Sequence, residues 1–491
     1  MNWLDQAIGA VAPGVALRRA RQRRALDVVR RAYEGARVGR RTEGWHAVGT
    51  GANAEIAPAL ARLRNRSRDL VRNNPYAAKA VHALVSNMVG TGIVPRARAQ
   101  NARAARQADR LWLAFAGACD ADGQTDFSGL QALIARAMAE SGECLVRFRD
   151  RRVEDGLPVP LQLQVLEPDH LDAGRNESLA DGGFVLQGVE FDPLGRRRAY
   201  WLFPVHPGEA GMMARGALVS RPVPARQVLH LFERLRPGQV RGVPWFAPAI
   251  LKLRDLDEYD DAELVRKKIE ACFAAFVTGV EDEATLGKEE IRTGGQRVES
   301  FEPGMIEYLE PGKDVKFAAP STSGGYADYM RIQLHAVAAG VGLTYELLTG
   351  DLSQVNYSSI RAGLIEFRRR MEALQWQLLV PGLCRPVWQR FVTTAQAAGT
   401  LPAGTIEAEW TAPRFEAVDP LKDIQADVLA VRAGVMTLKE AIARQGYDPA
   451  QVLAEIAATN TELDAAGIVL DTDPRRATRT GQAKPLPEET Q

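Results

Sequence analysis

Cysteine is scarce: Cys119, Cys144, Cys272 and Cys384 are the only four thiols in 491 residues. They lie far apart and form no CxxC pair, which excludes a disulfide framework and a cysteine-ligated zinc site. Reduced thiols in a cytosolic setting are expected. Histidine is nearly as rare, and His46, His82, His170, His206, His230 and His335 show no HExxH or other ligand spacing. Each therefore reads as a satisfied structural group. Charge of one sign is missing too, because 62 Lys and Arg against 61 Asp and Glu leave a net charge of +1. That balance excludes a protein whose whole surface grips nucleic acid. No run is apolar for the roughly 20 residues a membrane span needs. The first residues are broken by Pro13 and Gly14 and lead into arginines, unlike a secretory signal. A chain neither secreted by such a signal nor held in a bilayer is expected.

The motifs of common catalytic sites are absent as well. Ser321-Thr-Ser-Gly-Gly325 lacks the lysine and spacing of a Walker loop, and Gly49-Thr-Gly51 and Gly340-Val-Gly342 fail the dinucleotide pattern. There is no GxSxG elbow and no cysteine with a nearby histidine. No enzyme activity and no cofactor are expected. One acidic cluster, Asp255 to Glu263, is the best place for acid/base or metal work, since Asp257, Asp260 and Asp261 can share a helix face. A metal-dependent nucleic-acid-processing enzyme built on these three is the alternative reading. With no histidine beside them and acids continuing around the helix, a solvated face is the simpler account.

What is present is a soluble globular composition, 46% hydrophobic and 25% charged, long enough for two to four structural units. The stretch from Gly325 to Val392 organises it. It reads as a helix, a polar loop and a longer helix whose Ile360, Leu364, Phe367, Met371, Leu374 and Leu378 recur by fours and threes. Arg361, Arg368, Arg369 and Arg370 occupy its other face, which suits contact with water or another subunit. Pro381-Gly382 is expected to stop or bend it. The loop between, Thr344 to Asn356, sets turn formers among apolar anchors and reads as an ordered carrier of polar groups.

Taken in order, residues 1–53 form an arginine-rich arm, partly disordered. A helix from Ala54 to Arg72 and one capped by Asn74 and begun by Pro75 make a hairpin. Helices over 100–115 and 128–139 follow. Short runs at 143–148, 161–166, 184–191, 198–205 and 227–232 then predict a mainly antiparallel β unit. Residues 245–278 return to helix, with Ala262, Val265, Ile269, Cys272 and Phe276 as its stripe. A β excursion with strands at 305–309 and 315–318 precedes the Gly325 helix. After a strand at 406–411, Asp419-Pro420, Thr437 with Glu440, and Asp448-Pro449 open three helices. The tail from 471 to 491 is expected to be disordered.

Several ordered blocks resemble one family, the portal proteins of tailed bacteriophages, in particular the lambda type. They are Leu70-Val-Arg-Asn-Asn-Pro-Tyr76, Asn87-Met-Val-Gly-Thr-Gly-Ile93, Val165-Leu-Glu-Pro-Asp-His-Leu171 and Gly188-Val-Glu-Phe-Asp192 with Ala199-Tyr200. Val228-Leu-His-Leu-Phe232, Arg236 to Pro244, Gly304 to Pro320, Leu348-Thr-Gly-Asp351, Asn356 to Arg361 and Val418-Asp-Pro420 continue the series. The resemblance implies an α+β portal fold: a mixed wing over 54–244, stem helices over 245–278 and 326–343, a small β clip over 279–325, and a tunnel loop over 344–356. A long wing helix and connector over 357–417 and a helical crown over 418–470 complete it. It further implies a homo-oligomeric ring, usually of twelve subunits, in the virion at one capsid vertex. Double-stranded DNA would pass through it during packaging and ejection. A terminase packaging motor, the major capsid protein and head-tail adaptors would be partners, with assembly in the host cytoplasm and no membrane. Asp351, Gln354 and Asn356 would face the DNA.

Overall fold

The structure is a computed structural model. It describes residues 39–212, 219–271, 275–278, 288–291, 297–300, 314–317, 325–353, 355–415, 419–470, 473 and 475, with positions 14, 15, 17, 18, 21, 22 and 36 ahead of them. Residues 1–51 and 52–491 are separate compact units. In the first, a 3-10 turn at Arg40–Thr42 is closed by the Gly39 amide on Thr42 Oγ1. All that follows concerns the second.

Helix α1 (Ala52–Asn73) and α2 (Pro75–Met88) form the expected hairpin. Asn74 makes the corner: its side chain caps α2 by accepting from the Ala77 amide, and Pro75 occupies the first turn, where a missing donor costs nothing. Strand β1 (Val94–Arg98) was not legible, because Val-Pro-Arg-Ala-Arg has no apolar alternation. It exists by pairing with β14 (Glu407–Thr411), antiparallel and about three hundred residues away. Helices α3 (Ala102–Ala118) and α4 (Phe127–Ser141) start on the Asn101 and Asp126 caps. Trp112 of α3 anchors an aromatic core, with ring centroids 5.1–5.4 Å from Phe115, Phe127, Trp388 and Phe391.

The β unit resolves into two sheets. In one, β2 (Glu143–Asp150) lies between β3 (Leu161–Leu166) and β9 (Val228–Phe232), both antiparallel to it. The other orders β4 (Glu177–Ser178), β5 (Phe184–Leu186), β6 (Val189–Phe191), β7 (Arg197–Leu202) and β8 (Arg221–Pro224) consecutively. The single run expected over 184–191 is thus a hairpin. Gln187 (φ 50°) and Gly188 (φ 81°) form a two-residue turn with both φ positive, the geometry whose twist matches antiparallel strands. Gln-Gly is a weak form of that signal.

Helix α5 (Ile250–Ala271) ends before the expected 278. Residues 275–278, Ala-Phe-Val-Thr, are instead strand β10, paired with β13 (Asp314–Phe317); aromatic and β-branched residues favour that outcome once a partner strand is present. A hairpin of β11 (Lys288–Ile291) and β12 (Arg297–Ser300) lies between them. The expected strand at 305–309, and Cys272, lie outside the described residues. The first turns of α5 are buried through Leu253 and Leu256, and Tyr259 packs on the rings of Tyr326 and Tyr329. Of the expected stripe, Ala262 and Val265 are exposed, as is Leu264 beside them, Leu264 at 52% and Val265 at 54%; the side chains of Ile269, Cys272 and Phe276 lie outside the described residues.

Helix α6 (Tyr326–Val341) ends on left-handed Gly342, and the 344–356 loop contains a short helix, α7 (Tyr345–Thr349). The long helix begins as α8 (Tyr357–Leu374) and does not stop at Pro381-Gly382. Gln375–Cys384 takes π geometry and α9 (Arg385–Ala397) continues. Shifting the hydrogen bonds from i→i+4 to i→i+5 absorbs the missing proline donor that would otherwise kink an α-helix. Phe367, Met371 and Leu374 are buried, whereas Ile360, Leu364 and Leu378 are half-buried. Three of the four basic side chains meet the same chain: Arg361 pairs with Asp423 at 3.1 Å, Arg370 lies 3.5 Å from Glu233, and Arg368 sits over the Phe415 ring, while Arg369 is exposed as expected.

Helices α10 (Pro420–Arg432), α11 (Leu438–Arg444) and α12 (Pro449–Ala465) begin on their expected caps Asp419, Thr437 and Asp448. None buries a single residue. The tail beyond 475 lies outside the described residues. No helix among the described residues is long and apolar enough to cross a membrane.

Candidate functional site

Among the described residues of 344–356, side chains bond to the loop's own backbone and to one another. Thr344 caps α7 through the Leu347 amide, and Gly350 closes it at φ 76°. Asp351 accepts from the Ser353 amide at 2.9 Å and from the Tyr345 hydroxyl at 3.2 Å. Hydrogen bonds from Ser353 hold its carboxyl below the usual carboxylate range. Tyr345 stacks on His335 of α6, centroids 4.3 Å apart. At the far end Asn356 caps α8, its Oδ1 accepting from the Ser359 amide at 2.9 Å. Asp351, in the middle of the loop, is half-buried, and Asn356, at its end, is exposed. Gln354 lies outside the described residues.

The acidic cluster is used differently from a metal centre. Asp257 accepts from Asn74 Nδ2 at 2.6 Å, tying the α1–α2 corner to α5. Asp260 accepts from the Tyr326 hydroxyl, which that bond pushes up to about 12, and Asp261 is exposed. Among the described residues, the one group whose donor atoms converge is Glu167, Asp169 and His206. Arginines already hold it: Arg68 reaches Asp169 at 2.7 Å and Glu167 at 3.1 Å, and Arg64 reaches Asp169 at 3.2 Å. His206 Nδ1 accepts from the Gly208 amide at 3.0 Å, which leaves the ring proton on the Nε2 that faces Glu167. A nitrogen carrying a proton has no lone pair for a cation. Cys119, Cys144 and Cys384 are buried, and burial raises their thiols, which makes them inert.

The strongest electrostatic feature escaped the sequence reading. Glu143, the first residue of β2, is fully buried. Its Oε1 accepts from Arg64 at 2.9 Å and Arg241 at 2.6 Å; its Oε2 accepts from the Gly242 amide and His230 Nε2, each at 2.8 Å. Burial alone would raise this carboxyl, yet Arg241 and His230 hold it well below its ordinary range. His230 is held down to about 4, chiefly by burial. Gly142 and Gly242 approach so closely that a Cβ on Gly242 would lie 2.1 Å from the Gly142 carbonyl oxygen. No local signal marks this centre, because its members come from four segments up to 177 residues apart, Arg64 to Arg241.

The His230 shift fixes a pH dependence. The unfolded imidazole, with pKa about 6.5, takes up a proton that the folded one refuses until about pH 4. Stability therefore falls as pH drops through that window, by about 2 kcal/mol between pH 7 and 5. Glu143, depressed, gives way only at lower pH. Urea denaturation at both pH values checks this; equal midpoints would refute it.

The family described as phage portal protein, lambda family, matches residues 38–375. A probable portal protein of Halomonas phage phiHAP-1 is 29% identical over 424 residues, covering 80% of this chain and 79% of that protein. Portal protein B of Escherichia phage lambda is 24% identical over 490 residues, covering 88% and 90%. A solved structure, the neck of an empty GTA particle, aligns over 84% of this chain and 98% of its own with 16% identity and a TM-score of 0.42. With a family match across well over half of its length, and an α+β structure, this chain belongs to the lambda family of phage portal proteins.

Proposed function

We propose that copies of this chain assemble into a ring, of twelve subunits, whose axial channel passes double-stranded DNA into a phage capsid during packaging and out during ejection. The observation that carries this reading is the uncovered apolar surface of a single chain. α10–α12 bury no residue, although Leu421, Ile424, Val428, Leu429 and Leu438 are apolar and exposed. Leu264 and Val265 on α5 are in the same position. Large apolar patches left open on one chain mark contacts with another, and copies side by side would cover them. Belonging to the portal family makes those copies the expected partner.

Under this reading 54–244 is the wing with 357–417, and 418–470 the crown. α5 and α6 belong to the stem segments 245–278 and 326–343, and 279–325 is the clip. The pairing of β10 with β13 supports a clip that leaves and rejoins the stem at one place. Asp351, Gln354 and Asn356, on the preformed loop, turn toward the DNA. Uncharged donors and a carboxylate suit passage, because each phosphate neutralised by a cation adds affinity through counterion release and would stall the duplex. A terminase, the major capsid protein and head-tail adaptors are the partners in the virion, and the role is structural.

Sedimentation and electron microscopy of the purified chain test the ring. Annular particles near twelve subunits are expected from the wild type, and loss of them from Val428→Glu with Leu429→Glu. A monomer at every concentration overturns the proposal. Asp351→Ala with Gln354→Ala, which spares the Asn356 cap, is expected to leave rings intact and reduce DNA-filled particles. Normal genome filling would remove these residues from the channel.

A further inference from the structure

A cavity of about 550 Å³ lies between β9 and the long helix, lined on the helix side partly by the π segment through Gln377, Leu378, Pro381 and Gly382. That size suits a small-molecule ligand. Its lining includes Arg197, Arg234 and Arg370, against one carboxylate, Glu233, with His230 and Gln377 beside them. Three guanidinium groups and one carboxylate leave an excess of two positive charges, since His230, held down to about 4, is neutral at pH 7. The cavity sits within one chain and uses neither the apolar surfaces nor the loop discussed above.

Of the three arginines only Arg370 has a carboxylate within ion-pair distance among the described residues, Glu233. Arg197 donates to the Tyr200 hydroxyl at 3.1 Å, to His230 Nδ1 at 3.2 Å and to the Val240 carbonyl at 3.4 Å, all uncharged acceptors. Because His230 gives its Nε2 proton to Glu143, Nδ1 is the acceptor that orients Arg197. The buried charge centre thereby fixes the direction of a guanidinium that lines the cavity. The Arg370 Nε is buried with no hydrogen-bond partner, and its terminal nitrogen is 3.5 Å from Glu233, beyond a good hydrogen bond. Arg234 is exposed at the rim and forms no ion pair among the described residues. Guanidinium forks pair with carboxylate or phosphoryl oxygens, and a lining with two positive charges in excess favours the doubly charged phosphoryl group of the two.

We propose that this cavity binds a phosphoryl group, carried either by a free phosphate or nucleotide or by a nucleic-acid backbone. Isothermal titration of the full chain with inorganic phosphate, pyrophosphate and dATP, in chloride buffer, tests it. One site per chain is expected. Arg234→Gln should weaken binding about tenfold, as loss of one charge-assisted bond does, and Arg234→Gln with Arg370→Gln should abolish it. Arg66→Gln, on the exposed face of α1, should change nothing. Both cavity substitutions leave the buried Glu143 centre intact, and an unchanged urea midpoint reads this directly. A short duplex that displaces pyrophosphate from wild type but not from the double variant assigns the backbone as the source; failure to compete assigns the free anion. The proposal is overturned if no probe binds up to about 10 mM, weaker than any ordinary specific site, or if the double variant binds as wild type does.

Discussion

Glu143→Gln destabilises the protein by about 3–5 kcal/mol, the cost of leaving buried cations without their counter-charge. The substitution preserves size and removes only charge. Arg64 and Arg241, 5% and 0% exposed, then face a neutral amide whose own NH2 group must point at the donors around it. Two of the four groups now bonded to the carboxylate cannot be served by one carbonyl oxygen, and each orphaned buried donor adds to the loss. Urea denaturation measures the effect. The control is Glu55→Gln, whose partner Arg236 lies 2.9 Å away with both side chains 48% exposed; water replaces that contact, and under about 1 kcal/mol is expected. Equal effects from the two substitutions would show that Glu143 is not the buried counter-ion of this centre.

Gly142→Ala is expected to cost about 2–5 kcal/mol, from two sources that a second glycine separates. Gly142 ends α4 at φ 87°, where a Cβ is strained, and that Cβ would lie 2.3 Å from the Val243 carbonyl carbon and 2.4 Å from the Pro244 nitrogen. Both are backbone atoms, so no rotamer change relieves the contact. Gly195, at φ 78°, has nothing within 4 Å of the same added carbon, and Gly195→Ala should show the conformational term alone, about 1–2 kcal/mol. Thermal or urea melts of both variants give the difference. A Gly142→Ala no more costly than Gly195→Ala would mean that the Gly142 and Val243–Pro244 backbones are not in contact.

These two positions are adjacent in sequence, and neither is conspicuous there. Gly142-Glu143 reads as a helix terminator followed by an ordinary strand residue. Local features were far more legible. The Asn74-Pro75, Asp419-Pro420, Thr437 and Asp448-Pro449 starts each open a helix because a cap and its amide lie within three residues. The Leu161–Leu166 strand has its expected limits because alternation and flanking turns are also short-range. Errors arose where a distant partner or a register shift decided the outcome. β10 became a strand through β13, β1 through β14, and Pro381 stayed inside a helix because the π register tolerates it. Within the loop, Asp351 and Asn356 were recognisable as turn formers. Their bonds to Tyr345 and Ser359, and the short helix α7, came with the three-dimensional packing.

By itself the amino-acid order determined the helix starts, the family resemblance in its ordered blocks, and the absence of thiol, histidine and phosphate-loop motifs. Those properties depend on residues a few positions apart, or on a linear series. Tertiary structure alone decided that Glu143 is buried between Arg64, Arg241 and His230, and that three arginines from β7, the segment after β9 and α8 share one cavity. It also decided that the last three helices bury nothing. Each of these depends on which distant segments meet, and the free energy of a charge or an apolar face is set by what surrounds it rather than by its neighbours along the chain.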